Sequence, residues 1–153
     1  QVSRFERYLS LFPIRTATKF RRPESTVWRP MSQFHSLSDD EVFDSLQNEA
    51  NFVRACPIGN STKFAVLGVP AESIYSNPLR ISVITELLKG VGLMPVLYGS
   101  ASCDEVHIYL FFSELQKTKL ITQALTNLLT NCGLKVAPEN LSRPRSCARP
   151  ACW

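Results

Sequence analysis

A run of seven residues, Val106-His107-Ile108-Tyr109-Leu110-Phe111-Phe112, sets the terms on which this chain can fold. Successive side chains of a strand point to opposite faces, so Val106, Ile108, Leu110 and Phe112 line one face while His107, Tyr109 and Phe111 line the other. The first face is uniformly apolar and has to pack on something. The second carries an imidazole among aromatic rings. That histidine is either half-buried with a backbone partner or placed to meet a ligand.

The neighbours of such a strand are legible on either side. Lys63-Phe64-Ala65-Val66-Leu67-Gly68-Val69 is nearly continuous in apolar character, as suits a covered central strand, and Gly68 and Pro70 end it. Asn77 then caps a helix with Pro78 at its first position, and Ile84, Leu87, Leu88 and Val91 recur at helical spacing up to Gly90 and Gly92. Residues 95–99 read as a second strand and 106–112 as a third. Ser113 with Gln116 forms a capping box, opening a helix whose stripe of Ile121, Leu125, Leu128 and Cys132 runs to Gly133. Residues 134–137 read as a short fourth strand. The order is βαββαβ, the split βαβ arrangement, which predicts an α+β domain with an antiparallel sheet and helices on one face. In it the first and third strands lie side by side at the centre. Gly68 and Pro70 then share the uncovered face with His107, Tyr109 and Phe111.

Before this unit, Ser38 and Glu41 form a second capping box, with Asp39 and Asp40 in the first turn and Val42, Phe43 and Leu46 on one side, predicting a helix that fades near Ala50. Residues 1–37 hold Arg4, Arg7, Arg15, Lys19, Arg21, Arg22 and Arg29 against only Glu6 and Glu24, although the whole chain carries a modest +4. Pro13, Pro23 and Pro30 argue for an extended basic arm anchored by Trp28. Such an arm suits a polyanion, or else is a solvated terminus. From Ser142 the text becomes SRPRSCARPACW, which has no helical or strand period and reads as a tail foreign to the fold. The expected division is therefore an arm at 1–37, a domain at 38–141 and a tail at 142–153.

A chain of 153 residues with 44% hydrophobic and 20% charged residues has room for one domain with a core. No apolar run approaches the ~20 residues of a membrane span, and no signal-peptide pattern opens the chain, so a soluble, cytoplasmic protein is expected. The start at Gln1, without an initiator methionine, reads as a fragment or a processed chain. Cys56, Cys103, Cys132, Cys147 and Cys152 are odd in number and lack metal-ligand spacing, which favours free thiols over zinc or disulfides.

Two open-faced βαββαβ families compete. An RNA-recognition motif would need basic and glycine positions where Asp104 and Glu105 stand. The better match is the archaeo-eukaryotic primase superfamily. Over roughly residues 50–141 the chain resembles the primase-polymerase-like domain of cyanobacterial plasmid replication proteins. The resemblance is carried by Thr62-Lys63-Phe64-Ala65-Val66-Leu67, Glu72-Ser73-Ile74-Tyr75, Gly92-Leu93, Ser100-Ala101-Ser102 and Val106-His107-Ile108-Tyr109. It implies DNA replication chemistry, in which two aspartates of the first strand hold two divalent ions for in-line phosphoryl transfer, while a serine and a histidine contact nucleotide phosphates. Aligned so, the aspartates fall at Gly68 and Pro70, neither of which can bind a metal. Ser102 and His107 carry over as nucleotide contacts, but the glycines of the loop between them are replaced. Asp104 and Glu105 are adjacent and point to opposite faces of a strand, so they fit a solvated loop better than a substitute metal site.

Three functions are open at this point. One is a nucleic-acid-binding, primase-like domain of a replication protein with a defective active site, needing no cofactor and holding DNA through Arg15, Lys19, Arg21, Arg22 and Tyr109, with a nucleotide as a further partner. Another is an active nucleotidyltransferase using magnesium or manganese on carboxylates such as Glu72 or Asp104. The third is a protein-interaction domain whose aromatic face is buried in an oligomer. The oligomeric state is not fixed by the sequence.

Overall fold

The computed structural model of the chain describes residues 3–31, 35–47, 51–99 and 105–136. In chain order its elements are α1 (Arg4–Leu11), β1 (Lys19–Arg21), β2 (Arg29–Pro30), α2 (Asp39–Leu46), β3 (Val53–Ala55), β4 (Ser61–Pro70), α3 (Pro78–Gly90), β5 (Pro95–Gly99), β6 (Glu105–Lys117) and α4 (Thr118–Asn131). The architecture is α+β, built on two antiparallel three-stranded sheets ordered β2-β1-β3 and β4-β6-β5.

The larger sheet and its two helices follow the βαββα part of the expected order. β4 and β6 are antiparallel neighbours, pairing Gly68 with His107 and Pro70 with Glu105. Ala65, Leu67 and Val69 of β4 and Ile108 and Leu110 of β6 meet Ile84 and Leu88 of α3 and Leu125 and Leu129 of α4 in the main core. Burial of this apolar face is the main force holding the layers together. Each helix ends as its glycine requires. The N–H groups of Gly92 and Leu93 bond back to Lys89 and Leu88, and those of Gly133 and Leu134 to Thr130 and Leu129. Gly92 and Gly133 sit at φ 85° and 80°, a conformation that a side chain disfavours.

Four expectations shift. β6 continues through Ser113 and Gln116 because its end pairs with the start of β4, Gln116 opposite Thr62 and Lys117 opposite Ser61, so α4 begins only at Thr118. The Ser113 capping box therefore does not form. Leu134, Lys135 and Val136 join no ladder, and Ala137 lies outside the described residues. Instead the Lys135 N–H donates to the Tyr75 hydroxyl at 2.9 Å. Among the described residues this leaves β6 central and β4 at an edge, rather than both at the centre.

The fourth shift concerns residues 1–37, which are not an extended arm over their described length. Ser3 and Glu6 make a reciprocal capping box that starts α1, and Pro13 lies just past its end. β1 pairs with β2 and, across the expected boundary at residue 38, with β3. The helix at Ser38 forms as expected, with Ser38 and Glu41 capping it. The tail at 142–153 lies outside the described residues.

Candidate nucleic-acid interface

The face of the larger sheet turned away from α3 and α4 gathers Phe64 and Val66 of β4, Tyr98 of β5, and Glu105, His107, Tyr109 and Phe111 of β6. Strand alternation puts these side chains together, as the sequence predicts. Tyr109 and Phe111 stack with centroids 5.8 Å apart and planes 19° apart, and Phe64 lies 6.2 Å from Tyr109 at 29°. Tyr98 meets Tyr109 edge-on at 5.2 Å, and burial pushes the Tyr98 hydroxyl pKa up.

This face is not open. Phe12, at the end of α1, packs on Phe64 at 5.0 Å and on Phe111 at 6.4 Å. His107 is only 3% exposed. Its Nε2 lies 3.5 Å from a Glu105 carboxylate oxygen without making a hydrogen bond, and no other group among the described residues bonds it. The ring sits between Gly68, which offers no side chain, and Tyr98 on the opposite strand. Ser102, expected beside it as a second nucleotide contact, lies outside the described residues, as does Asp104. His107, expected as an exposed nucleotide contact, is buried in this arrangement.

Gly68 and Pro70 stand opposite His107 and Glu105. Glu105 is the carboxylate nearest to them along the ladder. Among the described residues no group of three or more histidine, cysteine, aspartate or glutamate side chains is placed to hold a metal ion. A cavity of about 330 Å³ opens where β4 has no neighbouring strand, lined chiefly by Leu67, Val69, Tyr75, Ile84, Leu129 and Leu134. It is largely apolar and offers no metal ligand.

The basic residues divide by what they touch. Arg15 donates to Asp39 at 2.6 Å and so ties the segment after α1 to the first turn of α2. Arg21 donates to the carbonyls of Pro23 and Ser25 at 3.1 and 2.6 Å, while its guanidinium lies 5.2 Å from the Trp28 ring. Both are committed to the fold. This cation–π contact of Trp28 lies within its own segment, so it does not anchor an arm elsewhere as expected. The side chains of Lys19, Arg22 and Arg29 are exposed and make no hydrogen bond or ion pair with the described residues. Lys19 lies on one face of the β1–β2 hairpin, Arg29 opposite Phe20 on the other, and Arg22 on the connecting turn. Positive charge therefore lies on both faces of the β1–β2 hairpin and on its connecting turn.

A second joint holds this region together. Glu41 accepts from the His35 ring at 2.9 Å and lies 3.8 Å from Arg54 of β3. Partial burial opposes its ionisation, but the Ser38 backbone N–H, His35 and Arg54 outweigh that and hold its carboxyl below the ordinary range. Cys56 sits 3.7 Å from the Thr18 hydroxyl, and burial pushes its thiol up. Cys56 and Cys132 are free thiols.

Two contributors were not singled out from sequence. Arg29 was lost among its neighbours because spacing alone does not separate committed from free arginines. Phe12 was missed because the Ser3-x-x-Glu6 box ahead of Phe5, Tyr8 and Phe12 was the signal for α1. No protein-family model matches this chain, and no curated protein is significantly similar to it. No helix among the described residues is long and apolar enough to cross a membrane.

Proposed function

We propose that this chain is a nucleic-acid-binding domain, primase-like in strand order, that grips DNA without polymerising it. The observation that carries the reading is the uncommitted cluster of Lys19, Arg22 and Arg29 around the β1–β2 ribbon. The β1–β2 hairpin of the smaller sheet, with exposed cations on both faces, presents charge to phosphates, and releasing their counterions supplies affinity. The antiparallel pairing of β4 with β6 supports a primase-like frame. Gly68 and Pro70, at the places where that superfamily holds metal, support binding without phosphoryl transfer. A replication protein is the setting this resemblance suggests.

A second reading, a protein-interaction domain, has its own support. Leu79 is 77% exposed, Met94 82%, Val83 60% and Leu97 49%, an apolar set on and around α3 of the kind that marks contact surfaces. The two readings separate in a salt titration of oligonucleotide binding. With Lys19, Arg22 and Arg29 each contacting a phosphate, the slope of log affinity against log salt on single strands falls in magnitude by about 2 when all three become alanine, at roughly 0.7 per contact. Arg15 and Arg21 are left intact because their loss would unsettle the fold. No binding at low salt, or an unchanged slope, would overturn the reading.

A further inference from the structure

We propose that α1 is a displaceable strap over a base-stacking platform formed by Phe64, Tyr109 and Phe111. The platform is three aromatic rings on one sheet face, near-parallel in two consecutive pairs at 6.2 and 5.8 Å. Rings set side by side on a strand surface are a geometry on which unpaired bases stack, and any base serves because each has a π-face. The inference rests on the nucleic-acid reading and adds to it a class of ligand, single-stranded nucleic acid, and a device that controls access.

What covers the platform is lightly held. α1 has eight residues and none of them is buried. A helix so short is marginal on its own, so it depends on docking. Among the described residues, the ring contacts that tie it to the rest of the fold are Phe5 on Phe43 at 5.3 Å and, at its end, Phe12 edge-on to Phe64 and Phe111. Elements with few buried contacts open at low free-energy cost. Arg4 and Arg7 are exposed on α1, so a polyanion arriving there meets positive charge beside the platform. Bases that stack on Phe64, Tyr109 and Phe111 take the place of Phe12, an exchange of one aromatic contact for another.

The test compares the full chain with Phe12→Ala and Phe5→Ala, titrating each with a fluorescein-labelled oligothymidylate and measuring its melting temperature. Phe12→Ala removes the ring lying on the platform. Phe5→Ala loosens α1 from α2 without touching the platform. Both should bind roughly five- to tenfold more tightly than the parent with the same salt slope, since stacking is not a phosphate contact. Tyr109→Leu with Phe111→Leu, added to Phe12→Ala, should abolish the gain. Affinity unchanged or weakened in both single variants that melt cooperatively would overturn the strap. Self-association of Phe12→Ala without tighter binding would also overturn it, assigning the face to a second copy. If the parent binds and the variants gain nothing, the strap fails and the ribbon reading stands. If only the variants bind, the ribbon reading fails and the strap stands.

Discussion

His107 shows how burial can remove a residue from the role its chemistry suggests. An imidazole nitrogen with no hydrogen bond to the described residues, in a ring 3% exposed, carries a desolvation cost of about 1 to 3 kcal/mol that an apolar side chain of similar size would not. His107→Leu is therefore expected to leave stability unchanged or raise it by about 1 kcal/mol. Chemical denaturation checks this, and a loss above ~1 kcal/mol would reveal a bonding partner the geometry does not contain. The strand position and the face of His107 could be read from the alternation of residues 106–112. Its burial could not, because alternation reports which face a side chain takes and not how closely the rings beside it, Tyr98 and Tyr109, pack there. Arginines pose the same difficulty. Arg15, Arg21 and Arg22 look alike in sequence, yet one holds Asp39, one holds a turn and Trp28, and one is free.

Among the elements, α3 and α2 form where their caps stand in the sequence, since Asn77 with Pro78 and Ser38 with Glu41 satisfy N–H groups that a helix leaves open. α4 is the instructive exception. Its predicted cap, Ser113 with Gln116, competes with a strand ladder, and cross-strand pairing to Ser61 and Thr62 wins. The N-cap is then Lys117, whose side chain makes no cap hydrogen bond, while the Thr118 hydroxyl donates to the Gly59 carbonyl at 2.6 Å. A carboxylate at that position would accept from the first-turn N–H groups and oppose the positive end of the helix dipole. Lys117→Asp is expected to stabilise the chain by about 1 kcal/mol, read as a higher denaturation midpoint at unchanged slope. No gain would mean that Lys117 already contributes an equal interaction from its place opposite Ser61.

At the scale of the whole molecule, the boundary that composition suggests at residue 38 is not a boundary in the contacts. β1 hydrogen-bonds to β3 along Lys19–Ala55, Phe20–Arg54 and Arg21–Val53, Arg15 reaches Asp39, and Thr18 is buried at 1% exposure near Cys56. Phe12 adds a contact to the larger sheet. Proline and arginine content made this region look extended because three-residue strands leave almost no periodicity to read, and their pairing is non-local. A chain that begins at Ser38 would leave β3 without a partner and strip Phe12 from the aromatic face. An independent arm could be removed at no cost, whereas an integrated one cannot. The expected result is a fall in melting temperature of more than about 4 °C, the upper end of the shift that roughly 1 kcal/mol produces in a chain of this size. Dye binding to newly exposed apolar surface should rise with it, because Phe64 and Phe111 lose their cover. A midpoint equal to that of the full chain would restore the arm, and would also remove the structural basis for α1 as a strap, since a helix that contributes nothing to the fold is not seated on the platform.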